Sequence, residues 1–342
     1  MFHYLYDRTG EPSLDLVLCG FGQIGRMLYK TLLTRTDFRL VAVIDSSPEF
    51  IGRDAGTAAG CAPCGIPVTG SPAGLAVRAD VAVVTTVSDA DAAADTIAGL
   101  LGRGMPVVTT CEELFYPYPL HLDAAAKISA AAQAAQLPAL AIGINPGFLM
   151  DYRVAALSGL SADIERVHVQ RIQDASPRRM AFQKKIGAGQ TLAEFEASRQ
   201  AGRLRHVGLP ESVYFVGAAL GWELTRVTES IEPVVAEADL ALPGAIPVKA
   251  GQARGVRQFG RGFAGGREVI TLEFVAAIGE PGSTDRVHIF GTPELDSVIS
   301  GGVNGDKGTC AITLNAARHI AGSRQIGLLT MLDIPPITGH SR

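Results

Sequence analysis

Long apolar runs, blocks of like charge and a dense cysteine framework are all missing from this sequence. Polar or charged residues break every apolar stretch well before the ~18 residues that a membrane span needs, so no membrane partner is expected although mean hydropathy is +0.22. Thirty Lys and Arg against 34 Asp and Glu give a formal net charge of −4, with no run of one sign to grip a polyanion. Nucleic acid is therefore not an expected partner. Five cysteines, Cys19, Cys61, Cys64, Cys111 and Cys310, are too sparse and odd in number for a disulfide scaffold, which points to reduced thiols. Met1 to Arg8 lacks the basic start and apolar stretch of a secretory signal, so a cytoplasmic location is expected. Aromatics are few, at 6%, but 47% hydrophobic residues and 39 Gly suit a packed α/β chain rather than a disordered one.

A length of 342 residues suggests about two domains. After an irregular leader that runs to Glu11-Pro12-Ser13, short apolar runs alternate with stretches of helical periodicity. The runs are Leu14 to Cys19, Leu40 to Ile44, Val81 to Thr85, Val107 to Thr110 and Leu140 to Ile144. Continuous apolar runs suit parallel strands buried on both faces, with alanine-rich Ala92 to Leu101 and Ala124 to Ala135 as crossover helices. Beyond Asp151 the pattern alternates. Ile164 to Ile172, Thr225 to Val235, Val248 to Gln258, Val269 to Ile278 and Arg286 to Phe290 read as a half-exposed, antiparallel sheet, with helices near Thr191 to Ala201 and Glu211 to Leu220. A last helical stretch, Gly308 to Ala321, returns to the first domain. The expected architecture is a doubly wound parallel sheet in residues 1–148, a second α+β domain in 149–307 for substrate and dimer contacts, a cleft between them, and a returning segment, 308–342.

The sharpest motif is Gly20-Phe21-Gly22-Gln23-Ile24-Gly25, between the first strand and the helix that opens at Arg26. A diphosphate needs a tight turn, close backbone approach and donor N–H groups at a helix start, and three glycines before a helix supply these. Asp45 ends the next strand, where an acid can accept from ribose hydroxyls. Together these make the first domain Rossmann-type and NAD(P)-binding. Ser46, Ser47 and Arg53 are placed to hold a 2′-phosphate instead, so NAD and NADP both remain open. Thr86, after the third strand, and Asn145, after the fifth, complete the candidate cofactor contacts.

Val43-Ile44-Asp45 with Ile51-Gly52-Arg53-Asp54-Ala55-Gly56 resembles the amino-terminal domain of dihydrodipicolinate reductases. Thr109-Thr110-Cys111-Glu112-Glu113-Leu114, Ile144-Asn145-Pro146-Gly147-Phe148, His206-Val207-Gly208-Leu209-Pro210-Glu211-Ser212 and Gly327-Leu328-Leu329-Thr330-Met331 resemble 2,4-diaminopentanoate dehydrogenases and related native amine dehydrogenases. The resemblance spans nearly the whole chain. It implies an NAD(P)-dependent enzyme, typically a homodimer, that interconverts an amine with a ketone plus ammonia. Dihydrodipicolinate reductases carry a His-His pair and a Lys in the second domain. The corresponding stretch here, Val167-His168-Val169 to Arg179, has neither, which leaves an imine reductase as the alternative reading. A nucleotide-binding sensor without turnover is a third.

Amine oxidation needs a neutral amine, a hydride acceptor and activated water. A carboxylate can serve the first and the last. Glu112 and Glu113 follow a strand end, at the sheet edge where α/β folds bind ligands. By resemblance Glu112 is the catalytic base, while Glu113 reads as an acid favoured at a helix start. First-turn acids without chemistry are the plain alternative for both. Asn145, Arg171, Gln173 and His206 are the substrate candidates. Arg171 and Gln173 stand two apart on one strand and share a face, and Arg171 could hold a substrate carboxylate. A solvated sheet face, a helix-start turn and a structural histidine explain these four almost as well. No metal is called for: Cys61-Ala62-Pro63-Cys64 lacks a second cysteine pair. Gly260 to Arg267 reads as a long hairpin loop, and Tyr116-Pro117-Tyr118-Pro119 with His121 either shapes the pocket mouth or is a proline-stiffened loop with exposed aromatics.

Overall fold

The structure is a computed structural model that describes residues 13–75, 77–204 and 206–339. The leader expected before Ser13 lies outside the described residues. Two compact units are present, and chain order does not separate them. One holds the chain up to Leu114, His121–Ile142 and everything from Asp306 onward, and the other holds Phe115–Leu120 and Gly143–Gly305.

The first unit alternates strand and helix: β1 (Leu14–Cys19), α1 (Gln23–Leu32), β2 (Phe38–Ile44), α2 (Ala55–Ala58), β3 (Val68–Thr69), β4 (Val81–Val84), α3 (Ala90–Gly102), β5 (Val107–Thr109), α4 (Leu122–Ala135) and β6 (Pro138–Ala141). The strands form a wholly parallel sheet in the order β3, β2, β1, β4, β5, β6, joined beyond β6 by a last short strand from the far end of the chain. Chain order reverses between β1 and β4, which is where open α/β sheets bind ligands. All four residues of β4 are fully buried, and each such Val adds about 1.5–3 kcal/mol of hydrophobic burial. Alanine keeps α3 and α4 close to the sheet: Ala93, Ala94, Ala124 and Ala132 are buried beside Ile97 and Ile128 in one core.

The second unit contains α5 (Tyr152–Ser158), β7 (Asp163–Asp174), α6 (Met180–Lys185), α7 (Leu192–Gln200), α8 (Leu209–Ala219), β8 (Arg226–Val235), β9 (Ala253–Ala264), β10 (Arg267–Ala277), β11 (Thr284–Thr292) and β12 (Leu295–Ser300). Its sheet runs β12, β11, β7, β10, β9, β8. Most neighbours are antiparallel, but β7 and β10 pair in parallel, so the sheet is mixed rather than antiparallel throughout. The expected long loop at Gly260 is also corrected. β9 continues to Ala264 and only Gly265-Gly266 turn the corner, both with positive φ (+55° and +77°), as a two-residue hairpin requires. The Val248 strand is an isolated bridge to Leu240, and the true strand starts at Ala253.

Helix α9 (Gly305–Ala321) and strand β13 (Gly327–Leu329) carry the chain back into the first unit, where β13 pairs with β6 and the Arg35 guanidinium donates to Asn315 of α9 at 2.9 Å. All five cysteines are free. Among the described residues no helix is long and apolar enough to cross a membrane.

Candidate active site

At the carboxyl end of β1 the chain turns into α1 through the glycine loop. Gly20 takes a φ of +97°, and a Cβ on it would lie 2.7 Å from the Thr85 backbone. A Cβ on Gly25 would lie 2.0 Å from the Gly20 carbonyl oxygen. Neither position accommodates a side chain without displacing backbone. The Thr85 hydroxyl donates to the same Gly20 carbonyl at 2.9 Å, which ties the ends of β1 and β4 together. Beside the loop the space is open: a Cβ on Gly22 would meet nothing within 4 Å, and Gly22 caps α1 without a side-chain bond. First-turn N–H groups next to free space, with no side-chain cap from Gly22, fit the charge and size of a diphosphate. Gln23 and Ile24 open that turn.

Phe21 contributes differently. Its fully buried ring packs edge-on against Tyr29 and Phe50, each at 6.0 Å, and its N–H donates to Asp45 Oδ2 at 2.5 Å. Phe21 thus anchors the loop instead of offering its N–H to a phosphate. The other Asp45 oxygen accepts from the Ser47 N–H at 2.8 Å. Each carboxylate oxygen has a second lone pair, so Asp45 can brace the loop and still accept from a ribose hydroxyl. Ser46 and Arg53 are exposed nearby, with Arg53 Nη1 on the Glu49 carbonyl at 3.3 Å, and Thr86 is exposed just beyond β4.

Glu112 begins a short 3-10 turn, Glu112–Leu114, after β5 and is half-buried. Because β5 pairs with β4 and β4 with β1, Glu112 shares the carboxyl edge of the sheet with the glycine loop, two strands or about 10 Å across. Glu113 turns away. Its Oε2 accepts from the Ala90 N–H at 2.9 Å, so the helix start it serves is that of α3, 23 residues earlier. Cys111 beside them donates to the Ser88 carbonyl at 3.1 Å, and burial pushes its thiol up to about 12, which keeps it protonated.

In the second unit Arg171 and Gln173 do share a face of β7, and both bond to the Val303 carbonyl, at 3.0 and 3.1 Å. Arg171 Nη1 also meets Asp285 Oδ1 at 2.5 Å, and both side chains are only 2% exposed. Asp285 stands directly opposite Arg171 on β11, and its second oxygen accepts the Val303 N–H at 2.7 Å. A buried guanidinium neutralised in this way has no charge to spare for a substrate carboxylate, which corrects the expectation for Arg171. Gln173 is engaged as well, accepting from Arg178 Nη1 at 3.2 Å. Nothing local in the sequence marks Asp285, whose partner is 114 residues away.

His206 lies against the Phe274 ring at 4.6 Å, with Nδ1 3.0 Å from the Val207 carbonyl. Its backbone is clamped on both sides by the fully buried Gln258 amide, at 2.7 and 2.9 Å. Burial, with the Lys185 charge next in weight, pulls the imidazole down from 6.5 to about 3. The ring is therefore neutral at working pH and no proton carrier. Its contribution to stability is full above pH 6.5 and is lost as pH falls from there toward 3. NMR should accordingly show a His206 C2–H shift that stays constant from pH 8 to 5, and a titration step near 6.5 would contradict the burial argument.

Asn145 occupies the turn Gly143–Gly147, half-buried, and its Nδ2 has no acceptor among the described residues. Tyr116 packs edge-on against Tyr118 and Phe215, at 5.7 and 5.8 Å, so the proline-stiffened segment is built on an aromatic cluster within the second unit.

Residues 148–340 match the family model for the 2,4-diaminopentanoate dehydrogenase C-terminal domain, and residues 14–111 that for the dihydrodipicolinate reductase N-terminus. A 2,4-diaminopentanoate dehydrogenase from Acetoanaerobium sticklandii is 33% identical over 75% of this chain and 74% of its own length. An amine dehydrogenase from Streptomyces virginiae is 24% identical over 94% of this chain and 96% of its own. Among solved structures, an amine dehydrogenase from Mycobacterium smegmatis has the same fold, with a TM-score of 0.83 over 96% of this chain and 98% of that one, at 20% identity.

Proposed function

The chain belongs to the 2,4-diaminopentanoate dehydrogenase family, and on that premise we propose that it is an NAD(P)-dependent oxidoreductase that deaminates an amine or diamino acid oxidatively and aminates the ketone in reverse. The observation that carries this reading is the glycine loop at the β1/β4 reversal, with Glu112 on the same sheet edge. Bound at that loop, the dinucleotide supplies the hydride acceptor.

The protein's own groups hold the dinucleotide, move protons and meet the substrate. The first turn of α1 and the Gly20 to Gly25 backbone hold the diphosphate, while Asp45, and Ser46 or Arg53 where a 2′-phosphate is present, meet the adenosine ribose. Glu112 takes a proton from the substrate ammonium, because only the neutral amine can release hydride from its carbon. It passes that proton to solvent and, ionised again, removes a proton from the water that adds to the resulting iminium carbon. A half-buried carboxylate at the sheet edge, reachable by both substrate and water, is placed for both steps. In the second unit Asn145 has an uncommitted amide donor for the ligand, and His206 is a neutral side chain. A homodimer, in which the second unit supplies the contact, and a cytoplasmic location complete the proposal.

The test follows nicotinamide absorbance in both directions with NAD or NADP, offering 2,4-diaminopentanoate beside simple amines, and ketones with or without ammonia. Ammonia-dependent reduction of a ketone, together with oxidation of the matching amine, is the expected result. Reduction of a cyclic imine that needs no ammonia would replace this reading with an imine reductase, and tight cofactor binding without turnover would replace it with a sensor.

A further inference from the structure

Asp151 stands immediately before α5 and has no exposed surface. Its Oδ2 accepts from the Gly147 N–H at 2.9 Å and from the Ser212 hydroxyl at 2.7 Å, while Oδ1 accepts from the Tyr152 N–H at 2.7 Å. Ser212, on α8, is itself fully buried. An ionised carboxylate in such a place gives up its hydration and needs strong internal donors in return. Burial pushes Asp151 from its usual 3.8 to about 6 against the pull of those three bonds.

Helix capping alone does not call for this. Asp89 caps α3 with a single bond into the first turn at 2.8 Å from an exposed position, and Asp54, which caps α2 at 2.9 Å and also accepts from the Cys64 and Gly65 N–H groups, is half-exposed, so neither bears the full loss of hydration that Asp151 does. Asp151 directs one oxygen backward instead, into the turn that bears Asn145. That turn is closely folded: Gly147 has φ +139°, and a Cβ there would lie 2.1 Å from the Gly143 carbonyl oxygen. The Gly147 N–H bond to Asp151 ties the turn to the start of α5, beside the backbone bonds from Leu149 to Ile144 and from Arg153 to Phe148, and the Ser212 bond ties the start of α5 to α8.

We infer that Asp151 and Ser212 are positioning residues that hold the Gly143–Gly147 turn so that the Asn145 amide keeps a fixed direction. The structural half of this stands alone, and the kinetic half rests on the proposal that Asn145 meets nicotinamide or amine. The ionisable neighbours in the chain are Tyr152 and Arg153 on α5 and Glu211 and Tyr214 on α8, of which Tyr152 meets the carboxylate through its backbone N–H. Arg153 is committed elsewhere, to the carbonyls of Asp285 and Ser297 at 3.0 and 2.6 Å.

The test is amide exchange on the full-length protein over peptide 143–150 at pH 7, in wild type, Asp151→Asn and Ser212→Ala, with turnover and cofactor affinity in parallel. Asp151→Asn is expected to exchange at least about tenfold faster in that peptide, the equivalent of one charge-assisted hydrogen bond. Ser212→Ala follows with a smaller rise, while amides of β1 and β7 are unmoved. kcat falls in the same order and the Kd of the cofactor does not change. Unchanged exchange in both variants overturns the inference, as does exchange that rises equally across the whole second unit, since the carboxylate is then a core group only. A loosened turn with wild-type kcat overturns its kinetic half. Absence of turnover in wild type, with the local exchange effect intact, overturns the amine reading and upholds the positioning role.

Discussion

Glu112→Gln is expected to lower turnover on the order of 10²–10⁴-fold while NAD(P) binding stays as in wild type. The substitution keeps the size of the side chain and removes its basicity. It leaves the glycine loop, Asp45 and the Glu113 cap of α3 untouched, so dinucleotide affinity by tryptophan fluorescence or calorimetry is the control that separates chemistry from folding. The same replacement at Glu113 should behave in the opposite way. It weakens the cap on Ala90 and costs about 1 kcal/mol of stability, with kcat close to wild type. Equal loss of turnover in both variants would mean that Glu112 is no more than a neighbour in a turn that both acids help to shape.

The largest stability effect is expected at Asp285→Ala, at about 3–5 kcal/mol, because it leaves Arg171 charged, buried and without its partner. Thermal unfolding of a unit this size should then shift down by roughly 6–20 °C. Removing both partners with apolar groups of similar volume, Arg171→Met with Asp285→Leu, should recover most of that loss, since the cost lies in the stranded charge and not in the missing attraction. If instead Arg171 binds a substrate carboxylate, the single Asp285→Ala variant would keep its melting temperature and change KM. A double-mutant cycle read by both melting temperature and KM distinguishes these outcomes.

The parts of the fold that were legible in the sequence are those written in short windows. Gly20 to Gly25 sits between an apolar run and a helix start, and six consecutive residues carry the whole signal. The strands β1, β2, β4 and β5 were legible because burial on both faces demands unbroken apolar runs. Alternation, by contrast, is the same whether a neighbour runs parallel or antiparallel, so the β7/β10 pairing left no trace in residues 163–174. Glycine density at Gly260 to Gly266 imitates a loop. There Gly260 and Gly262 are strand residues against Leu209 and Val213 of α8, and only the last two glycines turn. In the site, Glu112 and the glycine loop could be read from local context. The occupation of Arg171 by Asp285, of Ala90 by Glu113 and of Gly147 by Asp151 could not, because hydrogen-bond partners across a fold obey no spacing rule. Asp151 did carry one usable sign, an acid just ahead of a helix, but that sign points forward to α5 and not back to Asn145.

The interleaving of the two units has a consequence for synthesis on the ribosome. Residues 143–305, with all six strands of the mixed sheet, emerge as an almost continuous block and can fold as soon as β12 has left the tunnel. The nucleotide unit starts first but cannot finish until α9 and β13 arrive, since β6 is an open edge before β13 pairs with it. An open parallel edge is adhesive to other chains. The first half of the protein therefore waits, with that edge uncovered, for about 180 further residues, roughly 10–40 s at ordinary elongation rates. Slow translation or a truncated message downstream of β12 should raise aggregation of this protein through that uncovered edge.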